Sequence, residues 1–434
     1  MFIVDTALKK RAAADTPIRV GMVGVGFIGR GCVNQIINQV PGMDLVAMAN
    51  RTPARAADAL AVAGRPGAIE VNAQGALDDA ILAGKPVVTS DPMLLCASEQ
   101  IDVILELTGA ITHGAEVALA AFAHGKHFVS MNAELDATAG PIMRKKANDA
   151  GVIYTISDGD QPGVQMNLYR FVETMGLQPL VCGNIKGMLD LYRTPETQKG
   201  FAAQWGQTPE MVTSFADGTK IAFEQAIVAN ATGMCVAKRG MSGPEHKGQI
   251  DGLVEFYDVD ALKALGGVVD YALGSTPSPG VYVFAAQDDD RHHIYLDYAK
   301  LGKGPLYSFY IPYHLYHFEV PISIARAVDF NDTVLATEGP IRVEVVATAK
   351  RDLKAGEILD GLGGYMTYGE CENVWVSAPE QLLPMGLAEG CKLVRDVAKD
   401  QAISYADVEI PEGRLIDRLR AEQDGTFSPP QPPS

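Results

Sequence analysis

Four short stretches of the chain hold side chains that could move protons, hold anions or ligate a metal. The first is Asp158-Gly159-Asp160. Two carboxylates this close repel each other unless a cation sits between them, which points to a divalent metal such as Mg²⁺ or Mn²⁺. The same residues also suit ordinary Asp turn chemistry beside a glycine. The second stretch is Lys186-Gly-Met-Leu-Asp190-Leu-Tyr192-Arg193. On an extended segment Lys186, Asp190 and Tyr192 share one face, with Arg193 on the other or on a turn. A lysine within an otherwise apolar strand is costly to bury without a role. Arg193 offers a planar fork for a phosphate or carboxylate, or is a surface arginine. In the third, Tyr313-His-Leu-Tyr-His317-Phe-Glu319, His317 and Glu319 could ligate a metal or handle protons. Glu319 also fits a plain first-turn helix acid. The fourth, Arg291-His292-His293, reads as solvent-facing. The spacings hold no serine or cysteine triad and no zinc pattern.

The element that must position such groups is residues 18–51. The alternating run Ile18-Arg-Val-Gly-Met-Val23 enters Gly24-Val-Gly26-Phe27-Ile28-Gly29, an apolar helix pattern follows, and Leu45-Val-Ala-Met-Ala49 is a second strand. This is the dinucleotide fingerprint in its required strand–turn–helix context. Gly24 allows the tight turn, Gly26 lets the backbone approach a pyrophosphate, and Gly29 lets helix and strand pack closely. The helix N-terminus faces the phosphate charge. An Asp or Glu closing the second strand would bond the ribose of NAD. Here the residues are Asn50, Arg51 and Thr52, so a 2′-phosphate and hence NADP(H) is expected, with a solvated surface arginine as the alternative.

Strands and helices then alternate. Ile101–Leu107 is an apolar run ending at Thr108-Gly109, His127–Ser130 leads to Asn132, and Val152–Ile156 leads to Ser157. Alternation of this kind predicts an α/β fold with a doubly wound parallel Rossmann sheet. Ligands bind such sheets beyond the strand C-termini, where Thr108, Gly109, Asn132 and the Ser157–Gly163 loop fall. Residues 1–156 are expected to form this domain, and 157–335 an α+β catalytic and dimerisation domain. Within the latter, Gly280–Phe284 and His293–Asp297 read as strands, and about 313–335 as a return to the Rossmann domain, with a helix over Tyr313–Ala325. Residues 336–425 read as a small β-rich C-terminal domain and 426–434 as a disordered tail.

The net charge of −17 argues against nucleic acid or an anionic membrane as partner. An anionic substrate therefore needs a local basic pocket. Six scattered cysteines without a C-x-x-C pair read as reduced thiols of a cytoplasmic protein. The N-terminal residues lack a signal-peptide layout and read as an amphipathic helix.

The N-terminal half resembles the homoserine dehydrogenase type of nucleotide domain through Gly24–Gly29, Glu106-Leu-Thr108-Gly109 and Gly125–Asn132. Val345–Asp360 with Lys392–Gly413 resembles a SAF domain. Together with the Ser157–Gly163 loop and the Lys186–Arg193 segment, the chain looks closest to the deoxyxylulose 5-phosphate reductoisomerase-like (DRL) oxidoreductases. That resemblance implies NADPH-dependent, metal-assisted conversion of 1-deoxyxylulose 5-phosphate to 2-methylerythritol 4-phosphate. It also implies a homodimer. Asp160 and Glu319 would hold the metal, Lys186 would polarise an oxygen, and Arg193 would take the phosphate, with Asp190 and His317 beside them. Two alternatives stay open. One is an NADP-dependent dehydrogenase of an amino, hydroxy or sugar acid, and the other a nucleotide-binding sensor without catalysis.

Overall fold

A computed structural model describes residues 3–433. Met1 and Phe2 of the expected amphipathic start, and Ser434 of the tail, lie outside the described residues. The chain divides into two compact units, Met1–Asp160 with Leu315–Ala336, and Gln161–His314 with Thr337–Ser434.

The first unit is built on seven strands: β1 (Ile18–Val23), β2 (Met43–Ala49), β3 (Ile69–Glu70), β4 (Val87–Thr89), β5 (Val103–Glu106), β6 (His127–Ser130) and β7 (Tyr154–Ile156). Their order is β3-β4-β2-β1-β5-β6-β7. Every pairing among them is parallel. The sheet is doubly wound, as the alternating sequence predicts. The central strands are buried on both faces and so read as continuous apolar runs. Helix α1 (Val4–Ala13) contributes Val4 and Leu8 to the core, and α2 (Phe27–Gln39) contributes Cys32, Val33 and Ile36.

Residues 315–336 return to this core. The helix Val320–Phe330 buries Val320, Ile324, Ala325 and Ala327 there. Each fully buried Val or Ile contributes ~1.5–3 kcal/mol. A polar clasp fixes the return: Asp158 N–H donates to Ser323 Oγ at 2.6 Å, and Arg326 Nη1 lies 3.3 Å from Asp158 Oδ1. The expected helix over Tyr313–Ala325 is shorter at its start. A 3₁₀ turn at Tyr316–Phe318 comes first, and the α-helix begins at Val320 with Pro321 in its first turn.

The second unit holds a four-stranded sheet, order β11-β10-β8-β9, from β8 (Gln178–Lys186), β9 (Val268–Leu273), β10 (Gly280–Ala286) and β11 (Leu306–Ile311). Only β8 and β9 run parallel. The helix Thr219–Thr232 packs on this sheet and also on the antiparallel pair β12 (Val343–Ala349) and β13 (Thr367–Asn373). Covered on both sides, it is buried from Thr219 through Asn230. A short pair, β14 (Lys392–Leu393) with β15 (Val408–Glu409), and the helix Leu415–Thr426 complete the C-terminal region.

Two local expectations change. His293–Asp297 lies in a helix, Asp290–Tyr298, that buries none of its residues. Asp289 caps it by accepting from Arg291 N–H, so a local cap decides a stretch whose alternation suits a strand. The extended segment on which Lys186, Asp190 and Tyr192 would share a face ends at Lys186. Beyond Gly187 the chain turns, and Asp190 N–H donates to Ala216 O at 2.9 Å instead of to a neighbouring strand.

Candidate functional site

Each unit carries part of the candidate chemistry. In the first, β1 ends at Val23 and Gly24 takes φ +98°, a conformation side chains rarely adopt. A Cβ there would also lie 3.1 Å from Leu107 C and O at the end of the neighbouring strand. A Cβ on Gly29 would come 2.8 Å from Gly24 O, so only glycine lets α2 start this close to the turn. Gly26 is different: a Cβ would meet nothing within 4 Å, and the space above it is open. Gly26 is also the N-cap of α2, which has no side-chain cap and no acid in its first turn. The first-turn N–H groups and the positive end of the helix dipole are therefore left for an external anion. Phe27, beside this turn, is exposed, and Ile28 is half-buried.

Beyond β2, Asn50 Nδ2 donates to Thr52 O at 2.8 Å, and Arg51 is exposed. Beyond β5, buried Glu106 accepts from Thr108 N–H at 2.6 Å and from Ser130 Oγ at 2.8 Å. Gly109 takes φ +67°. Asn132 is spent on structure at both ends of its amide. Its Oδ1 caps the next helix through Leu135 N–H at 3.0 Å, and its Nδ2 donates to Ala110 O at 3.2 Å.

The structure brings the two expected metal ligands onto adjoining backbones. Tyr316 N–H donates to Gly159 O at 2.8 Å, and a Cβ on Gly159 would lie 3.1 Å from Glu319 Cβ. Burial pushes the Glu319 carboxyl up from its usual range, opposed by Leu315 N–H, which donates to Oε1 at 3.1 Å. Asp158, by contrast, is engaged with Ser323 and Arg326. Among the described residues no group of three or more His, Cys, Asp or Glu side chains is arranged to hold a metal. His317 packs its ring on Gly31 of α2, and burial lowers its pKa, favouring the neutral ring.

In the second unit, Lys186 and Asn184 lie two apart on β8 and so share a face. Asn184 is fully buried. Its Oδ1 accepts from Gln165 Nε2 at 2.5 Å, and its Nδ2 donates to Gln161 Oε1 at 2.7 Å and to Glu224 Oε2 at 3.0 Å. Lys220, also buried, stands one helical turn before Glu224 on Thr219–Thr232. Sequence reading missed Lys220 and Glu224. The available signal was a Lys–Glu pair at i,i+4 in the helix Thr219–Thr232, whose remaining residues are mostly apolar.

Asp190 and Arg193 are brought together, with Arg193 Nε 3.0 Å from Asp190 Oδ2, but on a turn and not on a face shared with Lys186. That turn is held in place. Lys350 Nζ, nearly inaccessible, donates to Arg193 O at 2.8 Å, Gly364 O at 2.8 Å and Asp217 Oδ2 at 2.9 Å. Tyr192 OH lies 3.0 Å from Asp400 Oδ2, and Lys399 Nζ sits 3.5 Å from the centre of the Tyr192 ring.

Two stretches of the chain match known families. Residues 24–156 match the family described as homoserine dehydrogenase, NAD binding domain. Residues 159–320 match the one described as oxidoreductase DRL, catalytic domain. A homoserine dehydrogenase of Methylobacillus glycogenes is 32% identical over 140 residues, covering 31% of this chain and 30% of that protein. The one from Pseudomonas aeruginosa is 28% identical over 145 residues, covering 32% and 28%. The chain thus spans under a third of the length of these curated relatives. Among solved structures, a probable dehydrogenase from Thermotoga maritima aligns over 72% of this chain and 87% of its own. It is 13% identical, with a TM-score of 0.39. A levoglucosan dehydrogenase in complex with NADH aligns over 41% and 46%, at 18% identity and TM-score 0.30.

Proposed function

We propose that this chain, a homoserine dehydrogenase-type NAD-binding domain followed by a DRL-type oxidoreductase catalytic domain, is an NADP-dependent dehydrogenase of a small anionic hydroxy, amino or sugar acid. The observation that carries the reading is the anion seat at Gly24–Gly29. It combines a turn closed to side chains, an open approach over Gly26, and a helix N-terminus with no acid or side-chain cap of its own. A dinucleotide pyrophosphate suits that seat. Arg51 and Thr52 would take the 2′-phosphate. Bound nicotinamide would accept or supply the hydride.

Substrate recognition would fall to the second unit. Arg193 would grip a carboxylate or phosphate, with Asp190 orienting its fork. Lys186 would bond the oxygen of the reacting carbon. When an alcohol carbon gives up its hydride, its hydroxyl proton must also leave, and the Lys220–Glu224 pair beside Asn184 would receive it. The region after residue 336 would be a SAF-like module that braces the Asp190–Arg193 turn, and the protein would act as a homodimer.

A second reading is favoured by the closeness of the Gly159 turn to Glu319 and by the DRL match. In it Asp160 and Glu319 hold a divalent cation and the reaction is a reductoisomerisation of 1-deoxyxylulose 5-phosphate. Two carboxylates are too few for an all-protein cage. They suit Mg²⁺ or Mn²⁺ whose remaining ligands are water and substrate oxygens.

The test is a fluorescence titration with NADPH and NADH. NADPH consumption is then followed against 2-oxo acids, amino-acid semialdehydes, sugar acids and 1-deoxyxylulose 5-phosphate, with Mn²⁺ or EDTA. Metal-independent reduction of an oxo acid or aldehyde supports the dehydrogenase. Mn²⁺-dependent consumption that yields a rearranged skeleton replaces it with the second reading. Failure to bind either nucleotide sinks both.

A further inference from the structure

One contact in the first unit joins the nucleotide turn to a segment far along the chain. α2 carries another glycine, Gly31, two residues past the fingerprint, and a Cβ there would lie 2.6 Å from His317 Cγ and Nδ1. The imidazole thus rests on the helix backbone, which only glycine permits. Gly31 is one turn beyond Phe27, so His317 sits on the face of α2 that Phe27 begins. The His317 ring in turn packs on the Phe318 ring, with centroids 4.2 Å apart and planes inclined by 32°. Tyr316 holds φ +44°, an unfavourable conformation for an aromatic residue, and its N–H is fixed by Gly159 O at 2.8 Å.

The unit's core uses neither Phe27 nor Phe318, which are 43% and 53% exposed. Phe27 opens α2 at the anion seat, and Phe318 packs on the ring wedged at Gly31, one turn further along the same helix. Exposed aromatic rings so carried suit a flat ring attached to a phosphate. Residues needed only for packing would be turned inward.

We propose that the returning segment Tyr316–Phe318 is part of the nucleotide site, with Phe27 and Phe318 taking the nicotinamide–ribose half of the dinucleotide. His317 is then a positioning residue. Seated on Gly31, it holds the Phe318 ring beside the first two turns of α2. The proposal rests on the nucleotide-binding reading above and says which residues receive the half of the cofactor that reacts.

Two probes separate the halves of the ligand. NADPH carries the nicotinamide, whereas adenosine 2′,5′-diphosphate carries only the adenosine end. Wild type, Phe318→Ala, His317→Ala and Leu82→Ala, an exposed-site control, are titrated with both. The expected result is that Phe318→Ala weakens NADPH about tenfold, as the loss of one aromatic stacking contact should. His317→Ala should weaken it by several-fold and change the emission of bound NADPH, while adenosine 2′,5′-diphosphate binds all four proteins alike. Equal loss of both probes in Phe318→Ala would mean general disruption of the unit and overturns the proposal. Unchanged NADPH affinity and emission in both variants overturns it as well, leaving nucleotide binding intact. A wild-type protein that binds neither probe removes the underlying reading and this proposal with it.

Discussion

Replacing Lys350 with methionine should cost the second unit more than replacing Lys350 and its partner Asp217 together. The Lys350 side chain is 2% exposed and that of Asp217 fully buried, with Nζ 2.9 Å from Oδ2. The same ammonium donates to Arg193 O and Gly364 O, both at 2.8 Å. Lys350→Met leaves a buried carboxylate without its cation, a loss of ~3–5 kcal/mol. Each carbonyl that loses its donor adds about 1 kcal/mol. The expected total is about 5–7 kcal/mol, near the whole stability of many domains. In Lys350→Met with Asp217→Asn the stranded charge is gone, and Asn can still accept from Thr219 N–H, which now donates to Asp217 Oδ1 at 2.9 Å. About 2 kcal/mol should remain, from the two carbonyls. Both tryptophans, Trp205 and Trp375, lie in the second unit, so urea titration followed by tryptophan emission reports on it alone. A single variant within about 1 kcal/mol of wild type, or a double variant no more stable than the single, would refute the reasoning.

Other outcomes follow from the same geometry. Arg51→Asp should raise the Kd for NADPH by about ten- to a hundredfold, the worth of one charge-assisted bond, and leave NADH within about threefold in a fluorescence titration. Lys186→Ala and Lys220→Met should each lower kcat by about a hundredfold or more on whatever substrate the panel identifies, with NADPH affinity within about twofold of wild type. Burial pushes the Cys32 and Cys96 thiols up to about 12, so neither should react with a thiol reagent at mildly alkaline pH until urea is added. Native labelling of either within minutes would contradict the packing. Burial raises the Glu319 carboxyl above its ordinary 4.5, so its ionisation opposes folding as pH rises. Glu319→Gln should therefore raise the melting temperature near neutral pH, and the gain should vanish once the pH falls below the ordinary carboxylate range. A gain that grows on acidification would have the wrong sign.

The first unit was the more legible half. Its central strands are short apolar runs buried on both faces, so composition marks them, whereas the two-residue edge strand Ile69–Glu70 is exposed and carries no such signal. The expectation for about 313–335 placed its helix over Tyr313–Ala325, whereas the apolar helix that packs on this core is Val320–Phe330. The shared face of Lys186, Asp190 and Tyr192 is not formed, because an alternating stretch does not announce where its ladder ends. Gly187 and the bond from Asp190 N–H to Ala216 O end it. His293–Asp297 failed for a related reason: a cap from Asp289 decides between helix and strand where no burial does.

The amino-acid sequence by itself determined the nucleotide turn and the sheet around it. Glycines at fixed spacing dictate a positive φ and close backbone approach within a dozen residues, and those requirements are local. Which polar groups meet was decided only by the tertiary structure. Glu224 becomes a buried partner of Asn184, and Lys220 is buried one turn before it, because one helix is covered from both sides, by the sheet and by β12 and β13. Lys350 reaches Arg193 and Asp217 across the chain, and His317 finds a seat at Gly31 only because that glycine leaves room for a ring. In each case the partner is set by the packing of distant elements, and a charge or a ring carries no mark in the sequence of what it will be packed against.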